Sequence, residues 1–201
     1  MSASTYTAFD GHRRLAHGAL SDVATVVKRA AADGADGPLL IFSDATGRSI
    51  DVDLRGTDKQ VVARLTQATS LAEESPTDAM EPRKRGRPKL GVVPREVTLL
   101  PRHWEWLNAQ PGGASVALRK LVEEARRTHA GRDERRAARD AAYHFMSATA
   151  GDLPGFEEAA RALFADNRER LGQLVDAWPP DLRDHVLWLA YGQATSRETE
   201  A

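Results

Sequence analysis

Apolar positions recur along this chain first with a period of two and then with a period near 3.6, and the change between them divides the sequence. Thr5-Tyr6-Thr7-Ala8-Phe9 alternates as a short strand, Asp10-Gly11-His12 is a turn, and Arg13 to His17 returns as the second strand of a hairpin. Val23, Val26, Val27 and Ala30 share one face of a helix that Ser21 or Asp22 caps and Gly34 and Gly37 end. Pro38-Leu39-Leu40-Ile41-Phe42 is an apolar strand, and Asp44-Ala45-Thr46-Gly47 is a turn. Ser49 to Leu54 alternates strictly, with Ile50, Val52 and Leu54 on one face and Ser49, Asp51 and Asp53 on the other. Thr57 and Asp58 open a second helix carrying Val61, Val62 and Leu65. Residues 1–65 therefore predict a ββαββα unit, small enough to need a further surface to dock on.

The pattern then lapses. Residues 66–91 read as a flexible linker, acidic up to residue 82 and ending in a basic arm. Residues 92–130 resume with a strand over Arg95-Glu96-Val97-Thr98-Leu99-Leu100. Pro101 suits the first turn of a helix through about His103 to Ala109, which Pro111-Gly112-Gly113 ends. Ser115 is the expected cap of a longer helix with Leu118, Leu121, Val122 and Ala125 on one side. Residues 131–196 predict a bundle of short helices. Its apolar ridges are Ala141/Phe145/Ala148, Phe156/Ala160/Leu163/Phe164, Leu171/Leu174/Val175/Trp178 and Val186/Leu187/Ala190/Tyr191, with Asp181 available as a cap. The fold class expected is α+β.

Charge changes this picture. The 201 residues sum to a net −1, yet residues 83–140 carry 15 basic and 7 acidic side chains, while residues 141–201 carry 5 and 10. A basic middle lies between acidic flanks, a distribution suited to a polyanionic partner.

The remaining composition mostly excludes. Without cysteine there are no disulfides, thiolate nucleophiles or cysteine-held metals. No apolar run reaches the length of a membrane span or a signal peptide, so the expectation is a cytoplasmic protein with no membrane contact. The six histidines show no metal-ligand spacing, and Asp181 with His185 reads as a surface pair on a helix. Asp51 and Asp53 share a strand face, as a cation site or an acid–base pair would require, but alternation alone also produces such a face. Gly34, Gly37 and Gly47 make no phosphate-binding fingerprint. The expectation is a protein that is not an enzyme and takes no cofactor or metal.

Arg83, Lys84, Arg85, Gly86, Arg87, Pro88 and Lys89 form the densest basic run. Its Arg-Gly-Arg-Pro resembles the core of an AT-hook, which lies extended in the narrow, strongly negative minor groove of A·T-rich DNA. The alternative is a solvated basic linker. Residues 95–127, as strand, proline, short helix, turn and helix, resemble a ribbon–helix–helix module. In that family two strands, one per subunit, pair and enter the major groove, and the start of the second helix holds a phosphate. The resemblance implies Arg95 and Thr98 as groove contacts, and Ser115, Arg119 and Lys120 as backbone contacts. One register turns Leu100, Thr98 and Glu96 inward; the other buries Val97 and Leu99. Neither presents a polar triad to base edges. The function expected is DNA binding by a homodimeric transcriptional regulator or nucleoid-associated factor. The competing reading is an adaptor whose basic arm meets an acidic protein surface.

Further stretches carry a resemblance over nearly the whole chain. They are Tyr6-Thr7-Ala8-Phe9-Asp10-Gly11-His12, Thr46-Gly47-Arg48, Asp53-Leu54-Arg55-Gly56, Gly86 through Val93, Arg95 through Leu107, and Ala150-Gly151-Asp152-Leu153-Pro154-Gly155-Phe156. In these the chain resembles a bacterial family of uncharacterised proteins, domain of unknown function 2239. The resemblance implies one shared multi-part architecture and supplies no activity, cofactor or catalytic residue.

Overall fold

The computed structural model describes residues 4–73, 93 and 95–192. Its fold class is α+β. The chain forms two compact units, one of Met1–Glu74 with Arg132–Ala201 and a smaller one of Ser75–Gly131.

The larger unit opens with β1 (Tyr6–Asp10), β2 (Arg13–Gly18), α1 (Leu20–Asp33), β3 (Leu39–Ser43), β4 (Ser49–Ile50) and α2 (Asp58–Glu73), the ββαββα order that the hydrophobic pattern predicts. The four strands are antiparallel in the order β2-β1-β3-β4. Between Ala8 and Phe9 the pairing of β1 with β2 slips by one residue, a bulge that twists the edge strand.

Alternation along the strands gives the sheet two apolar faces. Ala8 and Ile41 pack with Val23 and Val27 of α1. Phe9 and Phe42 point the other way, into a core supplied by the C-terminal helices. Those are the later part of α4 (Gly113–Thr149), α5 (Phe156–Phe164), α6 (Arg168–Val175) and α7 (Pro180–Leu187), followed by one π-turn from Trp188 to Gly192. Phe145 of α4 packs edge-on against Phe42, with ring centres 4.9 Å apart, and lies 5.1 Å from Phe9. Leu163, Leu171, Val175, Leu182 and Val186 complete this core. Each such side chain, fully buried, stabilises the fold by about 1.5–3 kcal/mol. Residues 1–65 and 131–196, set apart in the sequence reading, thus share one hydrophobic core: the second sheet face is too apolar to be left in water.

Several local expectations are corrected. α1 starts at Leu20 with Ala19 at its cap, so neither Ser21 nor Asp22 caps it. It does end where expected, at Gly34, whose φ of 82° is the left-handed conformation glycine adopts at least cost. The ladder of β4 stops at Ile50, but Ile50, Val52 and Leu54 still face the α1 side of the sheet while Asp51 and Asp53 are exposed. The segment from residue 66, read as the start of a linker, continues α2 as far as Glu73. A reciprocal cap starts that helix: Thr57 N–H donates to Gln60 Oε1 at 2.8 Å, and Gln60 N–H donates to Thr57 Oγ1 at 3.3 Å. Asp181 does not cap α7; its Oδ2 accepts from the Arg14 backbone N–H at 2.7 Å, across the bulge of β2.

Candidate nucleic-acid interface

Within the smaller unit, α3 (Pro101–Asn108) begins at Pro101, as expected of a residue with no N–H to satisfy. The expected strand from Arg95 to Leu100 does not form. A strand needs a hydrogen-bonding neighbour, and no described segment pairs with this one. Arg95 and Thr98 are exposed on it. α4 starts at Gly113, two residues before its expected cap. Ser115 therefore sits inside the first turn, where its Oγ accepts from Arg119 Nη1 at 3.3 Å. Arg119 and Lys120 are exposed one turn further on. Arg83, Lys84, Arg85, Gly86, Arg87, Pro88 and Lys89 lie outside the described residues.

This unit buries little. Leu107 and Ala117 are its buried apolar side chains among the described residues. Val97, Leu100, Trp106, Leu121 and Val122 are exposed by 43–57%, and Trp104 by 36%. Both tryptophans of α3 lie at the surface of the single chain. Charge there is also lightly compensated. Arg126 and Arg127 share Glu123, at 3.2 and 3.9 Å, on the exposed side of α4. Surface ion pairs of that kind contribute little to stability.

Of the two carboxylates considered on the strand face, Asp53 is taken by arginines. Asp53 accepts from Arg55 Nε at 2.9 Å and lies 3.8 Å from Arg64, and the hydrogen bonds from Arg55 lower its pKa to about 2. Arg64 also donates to the backbone carbonyls of Asp53 and Arg55. Asp53 thus clamps the segment between β4 and α2. No group of His, Asp and Glu among the described residues has the arrangement of a metal site.

A polar cluster that sequence spacing did not reveal lies in the larger unit. Asp44, in the turn after β3, is almost fully buried. Its Oδ1 accepts from Thr7 Oγ1 at 2.7 Å, and its Oδ2 lies 3.3 Å from His17 Nδ1. His185 of α7 approaches the same carboxylate from the helical side, with Nε2 3.7 Å from Oδ1 and no hydrogen-bond partner among the described residues. His185 is 2% exposed, so it is not half of a surface pair with Asp181. Its ring stacks on Trp188 and meets Phe145 edge-on, with centres 4.6 Å apart in the latter pair. Burial, with the charges of Arg14 and His17, lowers its pKa to about 3. The imidazole therefore stays neutral at neutral pH. The four residues that meet here, Thr7, His17, Asp44 and His185, come from β1, β2, a turn and α7, and no sequence spacing links them.

None of the described helices is long and apolar enough to cross a membrane. The chain belongs to a family described as an uncharacterized protein conserved in bacteria, domain of unknown function 2239, whose model matches residues 5–190. No curated protein and no solved structure matches it.

Proposed function

For this member of the family we propose binding to duplex DNA as a homodimer, with the smaller unit and the basic arm as the contact region. The observation that carries the reading is an apolar surface, Val97, Leu100, Trp106, Leu121 and Val122, exposed on a unit whose described residues bury little besides Leu107 and Ala117. A second copy would supply the missing half of that core, as the ribbon–helix–helix resemblance implies, and would give the unpaired segment at Arg95 to Leu100 an antiparallel neighbour. The basic surplus of residues 83–140 supports a polyanion as the ligand. In this reading Arg85 and Arg87 follow the minor groove, Arg83, Lys84 and Lys89 neutralise phosphates, and Arg119 and Lys120 touch the backbone. Of Arg95 and Thr98, which alternate across the strand, the one that the register turns outward faces the major groove.

Fluorescence anisotropy against A·T-rich and G·C-rich duplexes at two salt concentrations, with the mass in solution measured alongside, tests this. The expected result is a dimer whose affinity falls steeply with salt and favours A·T, a preference that Arg85→Ala with Arg87→Ala removes. No affinity at low salt overturns the DNA reading and leaves the adaptor. A monomer overturns the paired strands.

A further inference from the structure

The middle of α4 is exposed on all sides: every residue from Leu121 to Ala137 faces solvent. A stretch of helix that buries no side chains takes its stability from helix propensity and side-chain pairs alone. At its C-terminal end, within the larger unit, Arg132, Arg135, Arg136 and Arg139 follow the spacing i, i+3, i+4, i+7. That spacing normally places apolar side chains on one buried side; here it places four arginines there. Asp133, Glu134 and Asp140 lie off the stripe by the same periodicity.

Like charges at these separations destabilise a helix, and the stripe is only partly neutralised. Arg136 pairs with Asp133 at 3.0 Å. Arg132, Arg135 and Arg139 have no carboxylate within ion-pair distance among the described residues, and Arg132 and Arg135 are exposed. All four are arginines rather than lysines. The guanidinium fork matches phosphate oxygens two at a time and sheds water more readily than an ammonium. The stripe covers roughly 10 Å of helix axis, about three phosphate steps of one DNA strand at about 3.4 Å each.

We infer that this stripe is a second phosphate-binding surface, which takes the backbone of duplex DNA and reads no sequence. It rests on the DNA-binding reading above and adds a contact region in the other unit.

The test uses the full chain with Arg132→Gln and Arg135→Gln together, both exposed and both replaced by a good helix former. A charge-matched control carries Arg161→Gln and Arg170→Gln, arginines on α5 and α6 outside the stripe. Equal thermal unfolding of the three proteins establishes that the fold is retained. Duplex affinity is then measured by anisotropy across a salt series. The stripe variant is expected to lose roughly 1.8 from the slope of log affinity against log salt, about 0.9 per phosphate contact, alike on A·T-rich and G·C-rich duplexes. The control keeps the wild-type slope. If the wild type binds DNA and the stripe variant keeps its slope, the inference fails while the function stands. It also fails if the control loses as much as the stripe variant, because net charge alone is then acting. If the wild type binds no duplex at low salt, both readings fail together. Retention on vesicles of anionic lipid with none on DNA reassigns the stripe and overturns the inference.

Discussion

Acidification isolates the cost of holding His185 neutral. The ring is buried against Phe9, Phe145 and Trp188, and its pKa falls from 6.5 to about 3. In the unfolded chain it takes up a proton near pH 6.5; in the fold it does not until near pH 3. A basic group whose folded pKa is lowered supports the fold fully above its unfolded pKa. It then withdraws that support as pH falls, and the loss levels off below its folded value. With the pKa shift given above, about 2 kcal/mol of stability is lost by pH 5, and about 5 kcal/mol in all once the folded form also protonates. The lowered carboxyls of Asp10, Asp53 and Asp58 act in the same direction but only below their unfolded value of 3.8, so the interval from pH 6.5 to about 4 separates them from the histidine. The measurement is urea unfolding across that interval for the wild type and for His185→Leu, a neutral side chain of similar size. The variant starts from its own baseline, and what matters is slope: its stability is expected to fall by about 2 kcal/mol less than the wild type's between neutral pH and pH 5. Parallel curves would show that the imidazole is protonated or hydrated in the folded state, with Asp44 holding its charge, and would refute the argument.

Two other perturbations probe how the larger unit is assembled. Gly47 holds a φ of 63° in the turn after β3, and a Cβ there would overlap the carbonyl of Ala141 on α4. Gly47→Ala is therefore expected to cost at least about 1–3 kcal/mol from backbone strain alone, read as a fall in Tm; an unchanged Tm would mean that the turn does not pack on α4 as described. Residues 1–74 and 132–201, expressed as two separate chains, are expected to co-purify and give cooperative unfolding, because Phe9 and Phe42 fill their core with Phe145. Their recovery as independent, non-interacting peptides would show that the shared core does not hold them.

What was legible in the sequence was local. The hairpin at Asp10-Gly11-His12, the alternation of β1, the stop at Gly34 and most of the helical ridges of residues 141–191, Ala148 and Phe164 excepted, each depend on neighbours a few positions away, and periodicity reports them. Even the proline at the start of α3 follows from one missing N–H. The failures are at places decided by distant partners. Arg95 to Leu100 has strand-forming residues but lacks a neighbour to pair with. Ser115 looks like a cap, yet the turn from Gln110 to Gly113 begins α4 earlier, with Gly113 N–H donating to Gln110 O at 2.9 Å. Asp181 resembles a helix cap and instead holds the bulge of β2. Phe164, read as core by its ridge, is half exposed beside Tyr143. The candidate interface was visible as charge and as two motif resemblances; its exposed apolar surface depends on which faces the fold covers, which periodicity does not report. The Thr7, His17, Asp44 and His185 cluster had no signal, since its members are distributed over almost the whole chain.

That distribution bears on how function is carried. The larger unit is discontinuous, and closing it brings Phe42 to Phe145 across roughly 100 residues, about half of which belong to Ser75–Gly131. Loop entropy grows only with the logarithm of length, and a doubling costs about 0.6 kcal/mol. Carrying the smaller unit inside the larger one is therefore a minor charge on a core built from more than a dozen buried side chains. The reverse does not hold. Among its described residues the smaller unit buries Leu107 and Ala117 and leaves Trp106 and Val122 in solvent; in the dimer proposed above, a second copy completes that core. A sequence of this kind can keep exposed arginines and an unfinished apolar surface without endangering the sheet, because neither takes part in closing the core at Phe9, Phe42 and Phe145.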